Sequence, residues 1–321
     1  VPTEADIAPA AGGRLADFGE FLKDTEQPCF LPAEERQVWA PNARGELTRL
    51  PMTCLEPVDA AVTRKVLQTP RVWIISYLLE GTEECPANCL LYVCRDADYH
   101  WDSLSKNGRK AIRRGLRSST VRLCTWDELA AKGYPALAET DERHGYGRPD
   151  VEALQRFVSL RRDRPFYEVW GAWKEDDLVS WLVAMKIDEW VIFEASPSRH
   201  AALRIFSSNA VRYQAMRALL CEQRYKQVLT GLSSINPNTD PTLLWKFNTR
   251  MGFEGVPVRR VFVPHAMLRP MLNWRGAAWT WEKLSRGLPQ FSILHKVAGL
   301  SGLLSGRNRE PLAWAEAVHE T

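Results

Sequence analysis

The stretch that decides the fold runs from Phe166 to Val263. It opens with FYEVWGAW (166–173), turns through KEDD (174–177), continues as LVSWLVAMKI (178–187), turns at Asp188 and Glu189, and closes with WVIFEA (190–195). Alternating apolar runs of this length around short acidic turns read as sequential antiparallel strands. The WLVAM portion is apolar on both faces, as in a central strand covered by helices on either side. After a Ser/Pro-rich loop, Leu203, Phe206, Ala210, Tyr213, Met216 and Leu220 recur at three–four spacing, the signature of one helix face. KQVLTGL (226–232) is a short buried strand. Pro241 opens a further helix that contains LLWKFNTRMGFEG (243–255), and Gly252 stops it as a left-handed cap. PVRRVFV (257–263) is the last strand.

Working outward, the 321 residues allow two domains of ordinary size. A hydrophobic content of 45% with 25% charge describes a globular chain, and no apolar run approaches the length of a membrane span. Before Leu123 a smaller α/β unit is expected. Its strands are 37–40, 48–51, 71–79 and 89–95, with a helix over 58–67 and another from Asp98 or Tyr99 to Arg117. Residues 121–124 begin the second unit, followed by helices over 127–132 and 149–162, the latter with Pro149 in its first turn. VPTEADIAPAAGG lacks the basic flank and apolar stretch of a secretion signal and reads as a loose tail. The expected divisions are 1–14 disordered, 15–119, 120–265, and a helical tail over 266–321. That tail holds Trp274, Trp279 and Trp281 among Arg and Lys. It suits packing on its own chain, with peripheral membrane contact as the second reading.

Seven cysteines, an odd and scattered set, point to reduced thiols and a cytoplasmic location. Cys85, Cys89, Cys94 and His100 offer no second tight ligand pair and read as turn and strand residues rather than metal ligands. A net charge of +3 is too small for wholesale nucleic-acid binding but permits a local basic patch. DYHWDSLSKNGRKAIRRGLRSS (98–119) supplies one. At about 100° per residue, Trp101, Leu104, Gly108, Ala111, Ile112 and Gly115 share one face. Lys106, Arg109, Lys110, Arg113, Arg114 and Arg117 share the other. Two readings stand: a solvated face, or a site for a phosphate-bearing ligand gripped by Arg109, Arg113 and Arg117.

The element order resembles the acyl-CoA N-acyltransferase (GNAT) fold. Leu104-Ser105-x-x-x-Arg109-Lys110-x-Ile112-Arg113-Arg114, with the Phe247-x-x-x-x-Gly252-Phe253 helix end, resembles its Fem-type branch. The resemblance covers roughly residues 30–265. It implies an α/β (α+β) chain with a mixed, mainly antiparallel sheet flanked by helices, arranged as two tandem GNAT-like halves. It implies an acyltransferase using no tightly bound cofactor, with acyl-CoA or an acyl carrier protein as thioester donor and an amine-bearing small molecule or peptide as acceptor. Aminoacyl transfer from tRNA is the alternative, and a catalytically silent binding module the second alternative.

The resemblance also places residues. The fourth strand, here 190–195, carries a carboxylate at its end, which makes Glu194 the candidate base. Ser196, Ser198, Arg199 and Arg204 occupy the pyrophosphate-binding position, but the glycines common there are missing. His200 is a candidate acid or base in the same loop. The position of a tyrosine acid, or of the Fem-type lysine that follows the helix phenylalanine, is Asn248, which donates a hydrogen bond but cannot protonate a leaving group. ETDERHGYGRPD (139–150) would border the acceptor, with Glu142, His144 and Tyr146 as contacts. LSSINPNTDP (232–241) forms the other rim through Ser233 and Asn236.

Overall fold

The computed structural model describes residues 13–304 except 26, 33–35, 44, 146, 224, 235–240, 274–275 and 288–291. The first part of the chain forms α1 (Leu15–Asp24), β1 (Val38–Ala43), β2 (Glu46–Leu50), α2 (Ala60–Leu67), β3 (Ile74–Glu80) and β4 (Cys89–Cys94). The middle forms α3 (Lys106–Ser118), β5 (Thr120–Leu123), α4 (Trp126–Lys132), α5 (Tyr134–Arg143) and α6 (Val151–Arg161). It continues with β6 (Tyr167–Lys174), β7 (Asp177–Ile187), β8 (Trp190–Ala195), α7 (His200–Ile205), α8 (Ser207–Arg217), β9 (Gln227–Leu232) and α9 (Pro241–Arg250). β10 (Glu254–Pro264), α10 (Arg269–Asn273), α11 (Ala277–Gly287) and α12 (Ser292–Leu304) follow.

Two compact units are formed. One gathers Gly13, Tyr92–Gly231 and Lys246–Glu254; the other gathers Arg14–Leu91, Leu232–Trp245 and the chain from Gly255. In the first, strands lie in the order β9-β8-β7-β6-β5, and in the second β1-β2-β3-β10. β2–β3 and β8–β9 are parallel, whereas β1–β2, β3–β10, β5–β6, β6–β7 and β7–β8 are antiparallel.

In the first unit the expected three-strand meander is present. Turns at Glu175 and Asp188, both with positive φ, let two-residue connections reverse the chain. Along β7 every residue from Leu178 to Met185 is buried, because helices cover both faces. On one face Leu129 of α4, Ala136 of α5, and Leu154 and Val158 of α6 pack with Val169, Trp173, Trp181 and Val183. Burying each such side chain contributes about 1.5–3 kcal/mol before conformational entropy is counted. α8 packs against β5, β6 and β7, and α3 packs on α8. That last contact is unusually close: a Cβ built on Gly115 would stand 2.4 Å from the Phe206 carbonyl oxygen, and one on Gly108 would stand 2.2 Å from that of Arg250. Glycine at both places lets backbone meet backbone.

Three local expectations are corrected. The basic helix starts at Lys106, not at Asp98 or Tyr99, because Ser105 caps it by accepting from Gly108 N at 3.1 Å. The helix expected from Leu203 is two helices broken at Phe206, whose φ of 60° lies in the left-handed region. Residues 139–143, read as loop, are the last turns of α5. Gly13, expected in the loose tail, accepts from Asp188 N at 3.0 Å; residues 1–12 lie outside the described residues.

In the second unit Trp39, Leu47, Val66, Val72 and Ile75 form a core. The tail helices pack on the same chain, with Leu272 of α10 and Leu300 of α12 against Phe262 of β10. Trp279 remains 56% exposed under Lys283, while Trp274 lies outside the described residues. Among the described residues no helix is long and apolar enough to cross a membrane.

Candidate functional site

The site is built where β8 and β9 part. Their parallel register runs Trp190–Gln227, Val191–Val228 and Ile192–Leu229 and then ends, although β8 continues to Ala195 and β9 to Leu232. From Phe193 and Thr230 onward the facing edges have no ladder partner in each other. This leaves a gap between the two strand ends. On its other side β8 is bulged: Phe193 pairs with Ala184 and Ala195 with Val183, which leaves Glu194 as the extra residue. A bulge takes one residue out of the ladder and re-aims its side chain.

Glu194 is therefore where the resemblance puts a base, but it is not a free carboxylate. Arg161, from the last turn of α6, donates through Nε to Oε2 at 2.9 Å and through Nη2 to Oε1. The Arg161 guanidinium also stacks on Phe157, 3.8 Å from the ring centre, and lies beside Tyr167. Burial works to lower the Arg161 pKa, but the Glu194 carboxylate outweighs it and raises the net value. Tyr167, half-buried next to Glu194, is pushed far above the usual phenol range by burial and then by that carboxylate. Both neighbours of the carboxylate thus hold their protons.

The loop after β8 departs further from a phosphate cradle. Ser198 is buried and committed: its Oγ lies 2.8 Å from Ser180 Oγ and its N–H donates to Thr140 Oγ1 at 2.9 Å. Arg199 Nε donates to Glu139 Oε1 at 3.2 Å, and His200 N donates to Glu139 Oε2 at 2.5 Å. Burial works to raise the Glu139 pKa, but His200 N–H and Arg199 outweigh it and leave it lowered. A carboxylate of α5 thus occupies the loop expected to bind a donor phosphate. His200 is exposed, with its imidazole at the edge of that same carboxylate. Ser196 is half-buried and Arg204 exposed on α7.

Behind the gap lies a residue that the sequence reading did not single out. Arg212 of α8 donates through Nη1 to Thr230 Oγ1 at 2.7 Å and to Asn248 Oδ1 at 3.4 Å. Its guanidinium is ringed by Phe193, Phe247 and Phe253 at 5.5, 5.0 and 6.0 Å. Burial pushes its pKa down to about 10. Asn248 is fully buried and serves as a hydrogen-bond acceptor for Arg212. A sequence signal existed: Arg212 precedes Met216 by four residues, on the apolar stripe itself.

No protein-family model and no curated protein matches the chain. Solved structures do. The crystal structure of FemX aligns over 79% of this chain and 92% of its own, with a TM-score of 0.53 at 11% identity. The C-terminal domain of a putative lysylphosphatidylglycerol synthetase from Agrobacterium fabrum aligns over 79% and 94%, with a TM-score of 0.50 at 11% identity. The fold is GNAT-like. A tandem GNAT protein from the clavulanic acid biosynthesis pathway also aligns, over 70% of this chain and 77% of its own, with a TM-score of 0.42 at 11% identity.

Of the residues expected to border the acceptor, Ser233 is buried: it accepts from Leu90 N at 3.0 Å and meets Cys89 Sγ at 3.3 Å. Glu142 and His144 are exposed at the end of α5, where burial and then Arg143 push the His144 pKa down. Tyr146 and Asn236 lie outside the described residues. On α3, Arg109 meets Asp102 at 3.4 Å, while Arg113 covers Trp101 and Arg114 covers Phe206 at 5.5 and 5.3 Å. Lys106, Lys110 and Arg117 are exposed. Five of the six cations are exposed, Arg113 and Arg114 among them, and Arg109 is half-buried.

Proposed function

We propose that the chain is an acyltransferase that passes an acyl or aminoacyl group to an amine in the gap between the ends of β8 and β9. The observation that carries this is the end of the parallel register after Ile192 and Leu229. Attack of an amine on an ester or thioester carbonyl makes a tetrahedral oxyanion, which preformed N–H donors stabilise without reorganisation. In this reading the end of β8 beyond that register supplies such donors, beside a bulge that keeps the strand from closing on β9. The GNAT-like fold shared with FemX and the lysylphosphatidylglycerol synthetase domain supports the reading at the level of architecture.

Between donors, Glu139 favours an aminoacyl ester such as aminoacyl-tRNA over acyl-CoA. The N–H of His200 and the Arg199 guanidinium already hold its carboxylate. A pyrophosphate arriving there would meet a like charge. The exposed cations of α3 supply the complementary surface for an RNA backbone.

The purified chain incubated with a mixed aminoacyl-tRNA pool and a panel of amines and peptides should release aminoacylated product, read by mass spectrometry. Acetyl-CoA should support no product above background. Transfer from acetyl-CoA alone would restore the thioester donor. Absence of transfer from either, nor from carrier-protein thioesters, would leave a binding module.

A further inference from the structure

We infer that Arg212 marks an anion-binding subsite at the gap between β8 and β9, shaped for a carboxylate or phosphate group of the substrate. The subsite deepens the transferase reading and rests on it for the identity of that substrate. Its first support is an uncompensated charge. Arg212 is 7% exposed, and among the described residues no carboxylate pairs with it. Its hydrogen bonds go to two neutral oxygens, those of Thr230 and Asn248. A buried cation is normally paired or fully hydrogen-bonded, because taking an isolated charge out of water is costly.

Two other largely buried arginines among the described residues are paired with carboxylates. Arg161 is closed by Glu194 and Arg260 by Glu46. Arg49, likewise buried and without a carboxylate partner, spends its two terminal nitrogens on the carbonyls of Glu56, Cys54 and Leu78, and its Nε too is left without a hydrogen bond. Arg212 differs from Arg49 in two respects: its partner Asn248 carries a second unpaired donor, and both stand at the candidate site.

The second support is the set of groups left over. Arg212 Nε and Asn248 Nδ2 are both buried with no hydrogen-bond partner among the described residues. Both are donors, so what completes them is an acceptor. An oxyanion accepts from a guanidinium edge and an amide together, and charge-assisted bonds of this kind are the strong ones. The aromatic ring of Phe193, Phe247 and Phe253 offers the guanidinium faces but no hydrogen-bond acceptor.

The third support is position. Phe193 and Thr230, which flank the guanidinium, are the first residues of β8 and β9 beyond their last registered pair. Arg212 therefore stands behind the open end of the strand pair, where a substrate bound in the gap would bring its charged end. A carboxylate of an acceptor and a phosphate of a donor share the chemistry this subsite selects.

Acetate and inorganic phosphate are the probes, each titrated into the full chain against chloride at constant ionic strength. One of them should raise the unfolding temperature by about 2–4 °C at ten times its Kd. Acetate-specific stabilisation assigns the subsite to a carboxylate, and phosphate-specific stabilisation to a phosphate. In chain labelled with ¹⁵N-arginine, the slowly exchanging Nε–H of Arg212 should shift over the same titration. Arg212→Met should lose the stabilisation while unfolding in chloride no earlier than the parent chain, because a costly buried charge goes with the lost bonds. Asn248→Leu, which keeps Arg212, should weaken the anion about tenfold. No stabilisation beyond chloride together with an unmoved Nε–H signal overturns the subsite, as does an anion response retained in Arg212→Met. These readouts need no donor or acceptor. A chain that transfers without responding to anions loses the subsite alone, and one that binds anions without transferring loses the transferase reading alone.

Discussion

Arg161 clamps Glu194 with two hydrogen bonds, Nε to Oε2 at 2.9 Å and Nη2 to Oε1, at the bulge where β8 runs past its last pair with β9. The two side chains come from residues 33 apart in sequence and are 16% and 30% exposed. A carboxylate held through both oxygens by one edge of a guanidinium is a positioning group for the bulge before it is a proton acceptor.

Glu194→Gln should therefore lower stability by about 1–2 kcal/mol, as loss of a partly buried charged pair does. Urea unfolding of Glu194→Gln, Arg161→Met and the double variant should give a clear coupling energy between the two sites. Turnover of Glu194→Gln should fall less than about tenfold, with no rescue as pH rises. A loss of roughly 10²–10⁴ that recovers at high pH would instead assign proton abstraction to Glu194.

The contrast between Glu194 and its surroundings shows what could be read without coordinates. The meander over 166–195 was legible because period-two apolar runs and acidic two-residue turns are local signals. So was the stop at Gly252, where φ is 85°. The break at Phe206 was not, because three–four spacing runs through it; it coincides with the close crossing of α3 at Gly115. α5 begins at Gly133 and Pro135, residue types that commonly punctuate turns, so its start carries no clear helix signal. Glu139 and Arg199 meet across 60 positions, so no motif could pair them. Arg212 was half legible: its place on the apolar stripe was visible, but its missing counter-charge was not.

Gly115→Ala tests the helix crossing. Alanine gains about 1 kcal/mol of intrinsic helix preference over glycine. Here its Cβ would stand 2.4 Å from the Phe206 carbonyl oxygen and 2.8 Å from the Ala210 Cβ. Backbone cannot swing aside, so α3 must move, and overpacking of this kind costs about 1–3 kcal/mol. The net effect on urea unfolding should be destabilising. A stabilised variant would mean that α3 lies farther from α8 than its contacts show.

Glu128 offers a pH test. It caps α4 by accepting from Thr125 N at 2.9 Å and pairs with Arg122 at 2.6 Å. Those bonds, Arg122 first, hold its pKa down to about 2 against an ordinary 4.5. The carboxylate is depressed in the folded state, so its stabilisation is complete above about pH 4.5 and is lost as pH falls through about 2. The pair lies near the surface, and Glu128→Gln should cost only about 0.5–1 kcal/mol at neutral pH. Urea midpoints of parent and variant should converge as pH drops below 4.5. A constant gap across that window would assign the loss to the cap geometry rather than to charge.

The solvent-facing half of the basic helix decides whether the donor is RNA. Lys110, Arg113, Arg114 and Arg117 are all exposed, and of these Arg113 and Arg114 lie over Trp101 and Phe206. If α3 runs along a nucleic-acid backbone, Lys110→Ala with Arg117→Ala should weaken binding of uncharged tRNA. The slope of log affinity against log salt should fall by about 1 for each phosphate contact removed. Fluorescence anisotropy over a salt series reads both. Arg114→Ala should act differently: removing a cation from the Phe206 ring costs stability of about 0.5–1 kcal/mol at an exposed site. An unchanged slope in the double variant would make α3 a solvated face, and the charge segregation would then serve only to keep the helix against α8. In that event the aminoacyl ester loses its RNA, while the gap between β8 and β9 keeps its open edge for a smaller donor.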